Sequence, residues 1–372
     1  MYRVIKDSEN KEVMEDNAMR SENDLKPLPP MVDLETVPVL RQLSKSSRAL
    51  AELKGIIRTI PNSTILINSL ILQEAKDSSA IENIITTHDE LYQIDIDFDV
   101  KNPAAKEVQH YSAALKHGFN LLNEHGFLTI NYLVEIQQIL EQNDAGIRSQ
   151  AGTVLKNEST GEIIYTPPQN KDKILHLLKN LEEYMNQGNG LDDLIKMAII
   201  HYQFESIHPF YDGNGRTGRI INVLYLVLKG LLDIPVLYLS KYIIKTKQDY
   251  YKLLQNVRTE NAWEGWVIYL LIGIEETSVN TIEMIGSINN LMAETKSKLQ
   301  QDLPKIYSRD LLDIIFLHPY TKIEFLTKRL NISRQTAANH LNKICHLGIM
   351  SKIKKQKHNY YINTKLFELL SK

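Results

Sequence analysis

The alternation of apolar and polar positions along the chain predicts a mainly helical protein. Helical patterns lie at 39–53, 64–93, 104–124, 129–142, 171–187, 191–207 and 217–228. A long polar helix is predicted at 275–303. Turn residues at 157–161 separate two short β-prone runs and indicate a hairpin. The pattern therefore predicts a helical body that carries one small hairpin.

Residues 305–372 have a pattern of their own. Helices are predicted at 309–317, 322–330 and 334–347, followed by β-prone runs at 350–353 and 359–362. This order resembles a winged helix-turn-helix, in which the third helix and the basic turn face nucleic acid. The region holds 13 Lys and Arg against 4 Asp and Glu, whereas the whole chain has a formal net charge of −2. A basic module on an acidic body is therefore expected.

Composition narrows the classes of function. Apolar residues make up 43% of the chain and charged residues 24%, which is ordinary for a globular protein. The single cysteine, Cys345, excludes an intrachain disulfide and fits a reducing cytoplasm. The longest apolar run, at 267–274, is too short to cross a bilayer, and the N-terminus lacks the apolar region of a secretory signal. A cytoplasmic protein without membrane contact is expected.

The candidate chemistry lies in the stretch 208–219, His-Pro-Phe-Tyr-Asp-Gly-Asn-Gly-Arg-Thr-Gly-Arg, between two helical runs. His208 is the one group in it that is a free base near neutral pH. Asp212 offers hard oxygen ligands to Mg²⁺. The glycines on both sides of Asn214 let successive N–H groups converge on an anion, and two arginines three residues apart can reach separate phosphate oxygens. These residue types suit a phosphorylated anion held beside a proton acceptor.

Every fixed position of the pattern His-Pro-Phe-x-Asp/Glu-Gly-Asn-Gly-Arg-x-x-Arg is met at 208–219, so the chain resembles the Fic family. The resemblance implies a protein adenylyltransferase that transfers AMP from ATP to Ser, Thr or Tyr hydroxyls, with Mg²⁺. It implies His208 as the general base and Asp212 as the metal ligand. The ATP-binding residues that it implies are Glu82, Asp212, Gly213, Asn214, Gly215, Arg216, Thr217, Gly218, Arg219 and Tyr250. Superfamily members that transfer a γ-phosphate carry lysine where this chain has Gly215, so AMP transfer is favoured, with UMP and phosphocholine donors left open.

A second motif lies on the helix predicted at 64–93. Ser78, Glu82 and Asn83 match the family's inhibitory pattern Ser/Thr-x-x-x-Glu-Gly/Asn. Alone, Ser-x-x-x-Glu is common on exposed helices. Beside the first motif it implies that Glu82 pairs with Arg219 and blocks the γ-phosphate position, leaving ATP misaligned for attack. Removal of AMP, with Glu82 orienting a water, is left open as a further activity.

The resemblance also assigns residues outside the two motifs. The hairpin at about 155–168 corresponds to the flap that covers the active site and adds an extended target segment as a strand. Flap residues expected to contact the target are Ile164, Tyr165 and Thr166, with loop packing as the alternative. Tyr250 is expected to line the adenine or ribose side, with core packing as its alternative. His201, two turns before His208, is expected to pack or support rather than to bind zinc.

Together these features predict a mainly α fold, a Fic-type helical bundle with a β-hairpin flap and a C-terminal winged-helix domain. The expected domains are an N-terminal arm and helices at 1–100, the Fic core at 101–275, a linker helix at 276–304 and the winged helix at 305–372. The alternative function is an ATP-sensing, DNA-binding transcriptional regulator, but sensing has no need of a base at His208. The expected partner is a target protein that presents a hydroxyl in an extended segment. Self-modification, homodimer formation and DNA binding by 305–372 are left open.

Overall fold

The computed structural model describes residues 2–6, 25–60, 63–94, 102–157, 160–188, 190–355 and 358–371. Three sequence predictions fall partly outside the described residues: the N-terminal arm at 7–24, the tip of the flap at 158–159 and the tip of the wing at 356–357.

The described residues form a mainly helical structure with short strands. The helices are α1 Val37–Ile57, α2 Ser63–Ile81, α3 His88–Ile94, α4 Pro103–His125, α5 Ile130–Glu141, α6 Lys171–Asn186, α7 Asp193–Ile207, α8 Asn214–Leu228, α9 Ser240–Lys245, α10 Lys247–Glu260, α11 Trp263–Asp302, α12 Arg309–Leu317, α13 Ile323–Leu330, α14 Arg334–His346 and α15 Thr364–Leu370. The strands are β1 Tyr2–Lys6, β2 Thr153–Asn157, β3 Ile163–Tyr165, β4 Tyr320–Lys322, β5 Ser351–Lys355 and β6 His358–Ile362. No helix in these ranges is long and apolar enough to cross a membrane.

The chain divides into two compact units that interleave along the sequence. The first comprises residues 1–47, 110–235 and 242–273, and the second comprises 48–109, 236–241 and 274–372. Helix α11 continues unbroken past residue 275, where the sequence suggests the end of the core. The linear division into four domains stays a prediction.

The core of the first unit is built around α7. Residues 194–207 are buried on every side of this helix, which is the pattern of a helix enclosed by its neighbours rather than one lying at a surface. Helices α6 and α8 pack against it, and α5 packs against α8. Trp266 of α11 closes one side, where its indole N–H donates to the carbonyl of Ala198 at 2.8 Å. Helix α7 is thereby a rigid support for whatever follows its C-terminus.

A three-stranded antiparallel sheet in the order β1-β2-β3 forms the flap region. Strand β1 was not anticipated, because the polar residues up to about 30 suggested an arm whose prolines alone could dock on the body. Residues 25–31 are also held, since the N–H of Leu28 donates to Oδ1 of Asn180 at 2.6 Å and Gln203 donates to the carbonyl of Lys26 at 2.9 Å. In this order β2 is the central strand, and β1 and β3 are the two edge strands of the sheet.

The C-terminal part of the second unit follows the predicted element order. The Ser333 side chain caps α14 by accepting the N–H of Thr336 at 3.1 Å, as expected. Strand β4 and helix α15 were missed, and the sheet order is β4-β6-β5. Arg334, at the start of the third helix, pairs with Glu324 at 2.9 Å. The winged-helix class itself stays a prediction.

Candidate active site

His208 ends α7 in a left-handed conformation, with φ 49° and ψ 60°. This backbone turns the chain sharply after the buried helix, and the following proline disfavours continuation of the helix at His208. The imidazole is only 6% exposed, and neither ring nitrogen has a hydrogen-bond partner among the described residues. Burial first, and then the charges of Arg148 and Arg258, lower its pKa to about 3. His208 is therefore neutral at physiological pH, and the one interaction that opposes this shift is a contact of its ring with the backbone of Glu205.

Arg148 fixes this turn, although sequence reasoning gave it no role. Its buried guanidinium donates from Nε to the carbonyl of His208 at 2.7 Å and from Nη2 to the carbonyl of Ile207 at 3.2 Å and that of Pro168. A cation at the carbonyl end of a helix satisfies its last acceptors and opposes its dipole. The backbone N–H of Arg148 also donates to the carbonyl of Pro209 at 2.9 Å. A single arginine in a connection carries no local pattern, so only the fold reveals this contact.

The predicted anion cradle is the N-terminus of α8. The sequence predicted a helix from residue 217, but it begins at Asn214 because Gly213 takes φ 77° and starts the turn. No side chain caps this end, so its first backbone N–H groups point toward any bound anion. The Asn214 amide accepts the N–H of Phe210 at 2.8 Å and donates to the carbonyl of Phe210 at 2.9 Å. The side chain of Asn214 therefore braces the loop, which leaves backbone amides to bind phosphate.

Asp212 is the one carboxylate of the motif and lies exposed beside this helix end. Its Oδ1 accepts the N–H of Gly213 at 2.7 Å, and its carbonyl accepts from Gln137 of α5 at 3.3 Å. Within the described part of the chain, no three His, Cys, Asp or Glu side chains gather as a metal-binding group. Magnesium at phosphates commonly takes only one or two carboxylates, so Asp212 fits an ion that arrives with a nucleotide.

The two motif arginines have different surroundings. Nη2 of Arg216 lies 2.7 Å from Oε1 of Glu141, at the end of α5, and these side chains are 5% and 12% exposed. A Cβ atom at Gly213 would lie 2.3 Å from the same Oε1, so glycine is required there for space as well as for φ. Sequence reasoning missed Glu141, which lies 75 positions before its partner. Arg216 is thus held in place from α5, and Arg219 is buried one turn further along α8.

Three residues implied to bind ATP instead lie in packed interior positions. Thr217 is fully buried. A Cβ atom at Gly218 would lie 2.6 Å from Oε1 of Glu205, so this glycine permits the close approach of α7 and α8. Tyr250 is 1% exposed, and its hydroxyl lies 2.9 Å from Nε2 of His201. The burial and the hydrogen bond fit the core-packing alternative for Tyr250, and its place beside the adenine or ribose stays a prediction.

His201 supports the core, as expected. Its Nδ1 lies 3.1 Å from the amide nitrogen of Asn222, and its ring stacks on Trp266 with centroids 5.9 Å apart. Because that amide nitrogen can only donate, Nδ1 accepts and Nε2 carries the proton toward Tyr250. Burial, then the charge of Arg219, lower the pKa of His201 to about 3. The residue is a neutral link between α7, α8 and α10.

The flap is fastened to the body by Tyr165. Its hydroxyl donates to the carbonyl of Ser206 at 2.8 Å, and the guanidinium of Arg258 lies 3.9 Å from the ring centroid. The Tyr165 side chain is buried against α7, so the loop-packing alternative describes it, and contact of the flap with a target stays a prediction. Ile164 and Thr166 are half-buried, whereas Ile163 is 47% exposed.

The inhibitory motif lies at a helix end. One helix was expected over 64–93, but α2 stops at Ile81. The N–H of Ile84 donates to the carbonyl of Ser79 at 3.0 Å, and the N–H of Asn83 to that of Ala80 at 3.1 Å. This bonding pattern requires a left-handed residue at its centre, and Asn83 has φ 64°. The last motif position is Gly or Asn because the backbone there is left-handed. Glu82, just before it, is the capping residue of α2.

Three family models match the chain. They are described as Fic/DOC family N-terminal, over residues 40–120, Fic/DOC family, over 127–226, and Protein adenylyltransferase SoFic-like, C-terminal domain, over 291–366. A probable protein adenylyltransferase of Aquifex aeolicus (aq_aa38) is 27% identical over 187 residues, 49% of this chain and 51% of that protein. Protein adenylyltransferase Fic of Drosophila grimshawi is 33% identical over 158 residues, 38% and 31% of the two chains. The chain spans about half or less of the length of these relatives.

Solved structures agree in fold. A Fic family protein from Desulfovibrio desulfuricans superposes with a TM-score of 0.59 over 90% of this chain and 98% of that one, at 19% identity. Fic-1 of Caenorhabditis elegans superposes with a TM-score of 0.53 over 67% and 74% of the two chains, at 22% identity. With the matched models extending from residue 40 to 366, the chain belongs to the Fic/DOC family.

Proposed function

We propose that this protein transfers AMP from ATP and Mg²⁺ to hydroxyl side chains of proteins. The observation that carries the proposal is the buried, neutral imidazole of His208, six residues before the uncapped N-terminus of α8. The names of the similar proteins, protein adenylyltransferases, support it. A protein that only senses ATP would need the anion cradle but has no use for a buried base.

In the proposed reaction the target hydroxyl loses its proton to a ring nitrogen of His208 as its oxygen attacks the α-phosphorus. The bond from that phosphorus to the bridging oxygen of the β-phosphate breaks, and pyrophosphate leaves. Backbone amides at Gly213, Asn214 and Gly215 would stabilise the phosphate charge. A pKa of about 3 makes His208 a weak base in the empty site, but a bound triphosphate nearby would favour the imidazolium and raise that pKa. Mg²⁺ held by Asp212 would neutralise the leaving pyrophosphate.

We assign different tasks to the two arginines. Arg216 is engaged by Glu141 at 2.7 Å and would keep the first turn of α8 in place. Arg219 would then bind the γ-phosphate, the position for which Glu82 competes in the inhibited state. Glu82 at the end of α2 and Arg219 thus form the proposed autoinhibitory pair, with Ser78 and Asn83 shaping the helix end. Removal of AMP by the same site, self-modification and DNA binding by 305–372 remain open and are not needed for this proposal.

The test uses ATP labelled at the α-phosphate, with Mg²⁺ and a cell lysate as acceptor. Wild type, Glu82→Gly and His208→Ala are compared, with His176→Ala, an exposed histidine of α6, as the matched control. We expect label on protein with wild type and His176→Ala, more with Glu82→Gly, and none with His208→Ala. Isothermal titration with a non-hydrolysable ATP analogue should show that His208→Ala still binds nucleotide. Label that persists with His208→Ala would remove the imidazole from the mechanism.

A further inference from the structure

A cavity lies in the first unit, and its lining includes none of the motif residues 208–219. Its volume is about 610 Å³, within the range of ligand sites, which is roughly 300–1,000 Å³. The docked proline segment 25–31 forms one wall, and the turn between α10 and α11, at 257–263, forms another. Tyr165 and Tyr202 line the cavity from the flap and from α7. It is therefore a separate recess on the flap side of α7.

The cavity contains a cation whose hydrogen bonding is incomplete. Nε of Arg258 lies 3.4 Å from the hydroxyl of Ser206, and Nη1 lies 3.4 Å from the amide oxygen of Gln255, so both contacts are long. Nη2 is buried and has no hydrogen-bond partner in the residues that the structure describes. Lys26 adds a second positive charge to the lining, against the single carboxylate of Glu260. Because Nη2 is buried, an anionic acceptor in the cavity would complete the guanidinium's hydrogen bonds only by turning the Arg258 side chain toward the cavity.

The other walls are aromatic. Tyr202 and Trp263 meet edge to face, with ring centroids 4.6 Å apart. The indole N–H of Trp263 donates to Oδ1 of Asn261 at 2.9 Å, which fixes the orientation of that ring. Tyr202 and Trp263 are 6% and 7% exposed, so each presents only a small part of its ring to the cavity. These fixed aromatic groups beside a partly satisfied guanidinium are suited to a flat ring that carries a negative group.

We propose that this cavity binds a small organic anion that carries a flat ring, with the anionic group on Arg258 and the ring against Tyr202 and Trp263. The same Arg258 covers the ring of Tyr165 and contacts Ser206, two residues before His208. A ligand that draws Arg258 toward the cavity therefore loosens the anchor of the flap. The site links an effector to the flap without contact with the nucleotide cradle.

The experiment uses the full chain labelled with 5-fluorotryptophan, because the protein has only two tryptophans. Trp263 lines the cavity, and Trp266 is fully buried and serves as the internal control. The probes are phenyl phosphate, cyclohexyl phosphate and inorganic phosphate, each followed by fluorine NMR with and without a saturating ATP analogue. Arg258→Met is compared with Arg334→Met, which removes an exposed arginine from the C-terminal module.

We expect phenyl phosphate to shift the Trp263 signal to saturation, with affinity about fivefold higher than for the two probes without an aromatic ring. Arg258→Met should weaken binding at least about tenfold, Arg334→Met should leave it unchanged, and the ATP analogue should not displace the probe. Equal affinity for inorganic phosphate, full binding by Arg258→Met, or displacement by the ATP analogue would each overturn the proposal. If Arg258→Met fails to fold, the probe series and the competition on wild type still decide.

Discussion

Nε of Arg148 donates to the carbonyl oxygen of His208 at 2.7 Å, so this buried arginine holds the backbone of the proposed base. This contact, with those to Ile207 and Pro168, satisfies the end of α7 where the chain turns into the motif. The His208 imidazole is therefore positioned by a residue that does not belong to the motif.

Replacing Arg148 by Met should lower kcat for AMP transfer by roughly 10- to 100-fold, because charge-assisted bonds of about 1.5–3 kcal/mol to the turn are lost. The KM for ATP should change little, since the cradle on α8 is untouched. Arg148→Lys keeps the charge without the planar fork and should recover only part of the rate. Steady-state label incorporation checks this. Equal loss in kcat and nucleotide affinity would show that Arg148 acts on the whole loop.

The ion pair of Glu141 and Arg216 should couple α5 to the motif. Both side chains are nearly buried, so Glu141→Gln leaves the guanidinium of Arg216 without its counter-charge. The free energy of unfolding should therefore fall by about 3 kcal/mol. Arg216→Met should cost a similar amount, and the double variant should cost less than the sum of both changes. Urea unfolding of the four proteins measures the coupling, which we expect at about 1–3 kcal/mol. If the free-energy losses of the two single variants simply add in the double variant, the coupling energy of the ion pair is zero.

The end of α2 offers a backbone test of autoinhibition. Asn83→Ala places a Cβ-bearing residue without a polar side chain at φ 64° and should cost about 1 kcal/mol, whereas Asn83→Gly should be nearly neutral. If the position of Glu82 depends on this turn, Asn83→Ala should also raise AMP transfer toward the level of Glu82→Gly, and Asn83→Gly should not. Thermal unfolding and label incorporation are measured together. Equal AMP transfer by the two Asn83 variants would show that the turn at Asn83 has no part in the inhibition.

The flap anchor can be divided into its two contacts. Tyr165→Phe removes the hydrogen bond to the carbonyl of Ser206 and keeps the ring under Arg258, so it should cost about 1 kcal/mol. Tyr165→Leu removes both contacts and should cost more. Amide hydrogen exchange over β2 and β3 should quicken in the same order. Unchanged exchange in both variants would show that other contacts hold the flap.

Two buried histidines should make the protein sensitive to acid. The pKa values of His201 and His208 are lowered to about 3 by burial, whereas an unfolded histidine titrates near 6.5. Below pH 6.5 the unfolded chain therefore binds protons that the folded chain does not. Stability is complete above pH 6.5 and falls as the pH drops toward 3, by about 2 kcal/mol for each histidine at pH 5. Urea unfolding at pH 7 and pH 5 measures the loss, and His201→Gln should reduce it by about 2 kcal/mol.

Features that depend only on neighbouring residues could be predicted before the fold was known. The bounds of α12 and α5 follow from apolar spacing and capping side chains, and the 208–219 motif was recognisable because its glycines, acid and base are consecutive. The turn after α2 also has a local cause, since Asn83 tolerates a left-handed backbone. It was not predicted, because apolar residues keep a helical spacing on both sides of it.

The contacts between distant side chains could not be predicted, because they depend on how the helices pack. Arg148 and Glu141 reach the motif from 60 and 75 positions away, and no periodicity signals such a contact. Tyr250 and Tyr165 were chosen for chemistry that their types permit, but packing buried one against His201 and the other under Arg258. Burial and long-range pairing are properties of the whole fold. The type of a residue therefore indicates the chemistry open to it, and its neighbours in the fold determine whether its side chain is accessible for that chemistry.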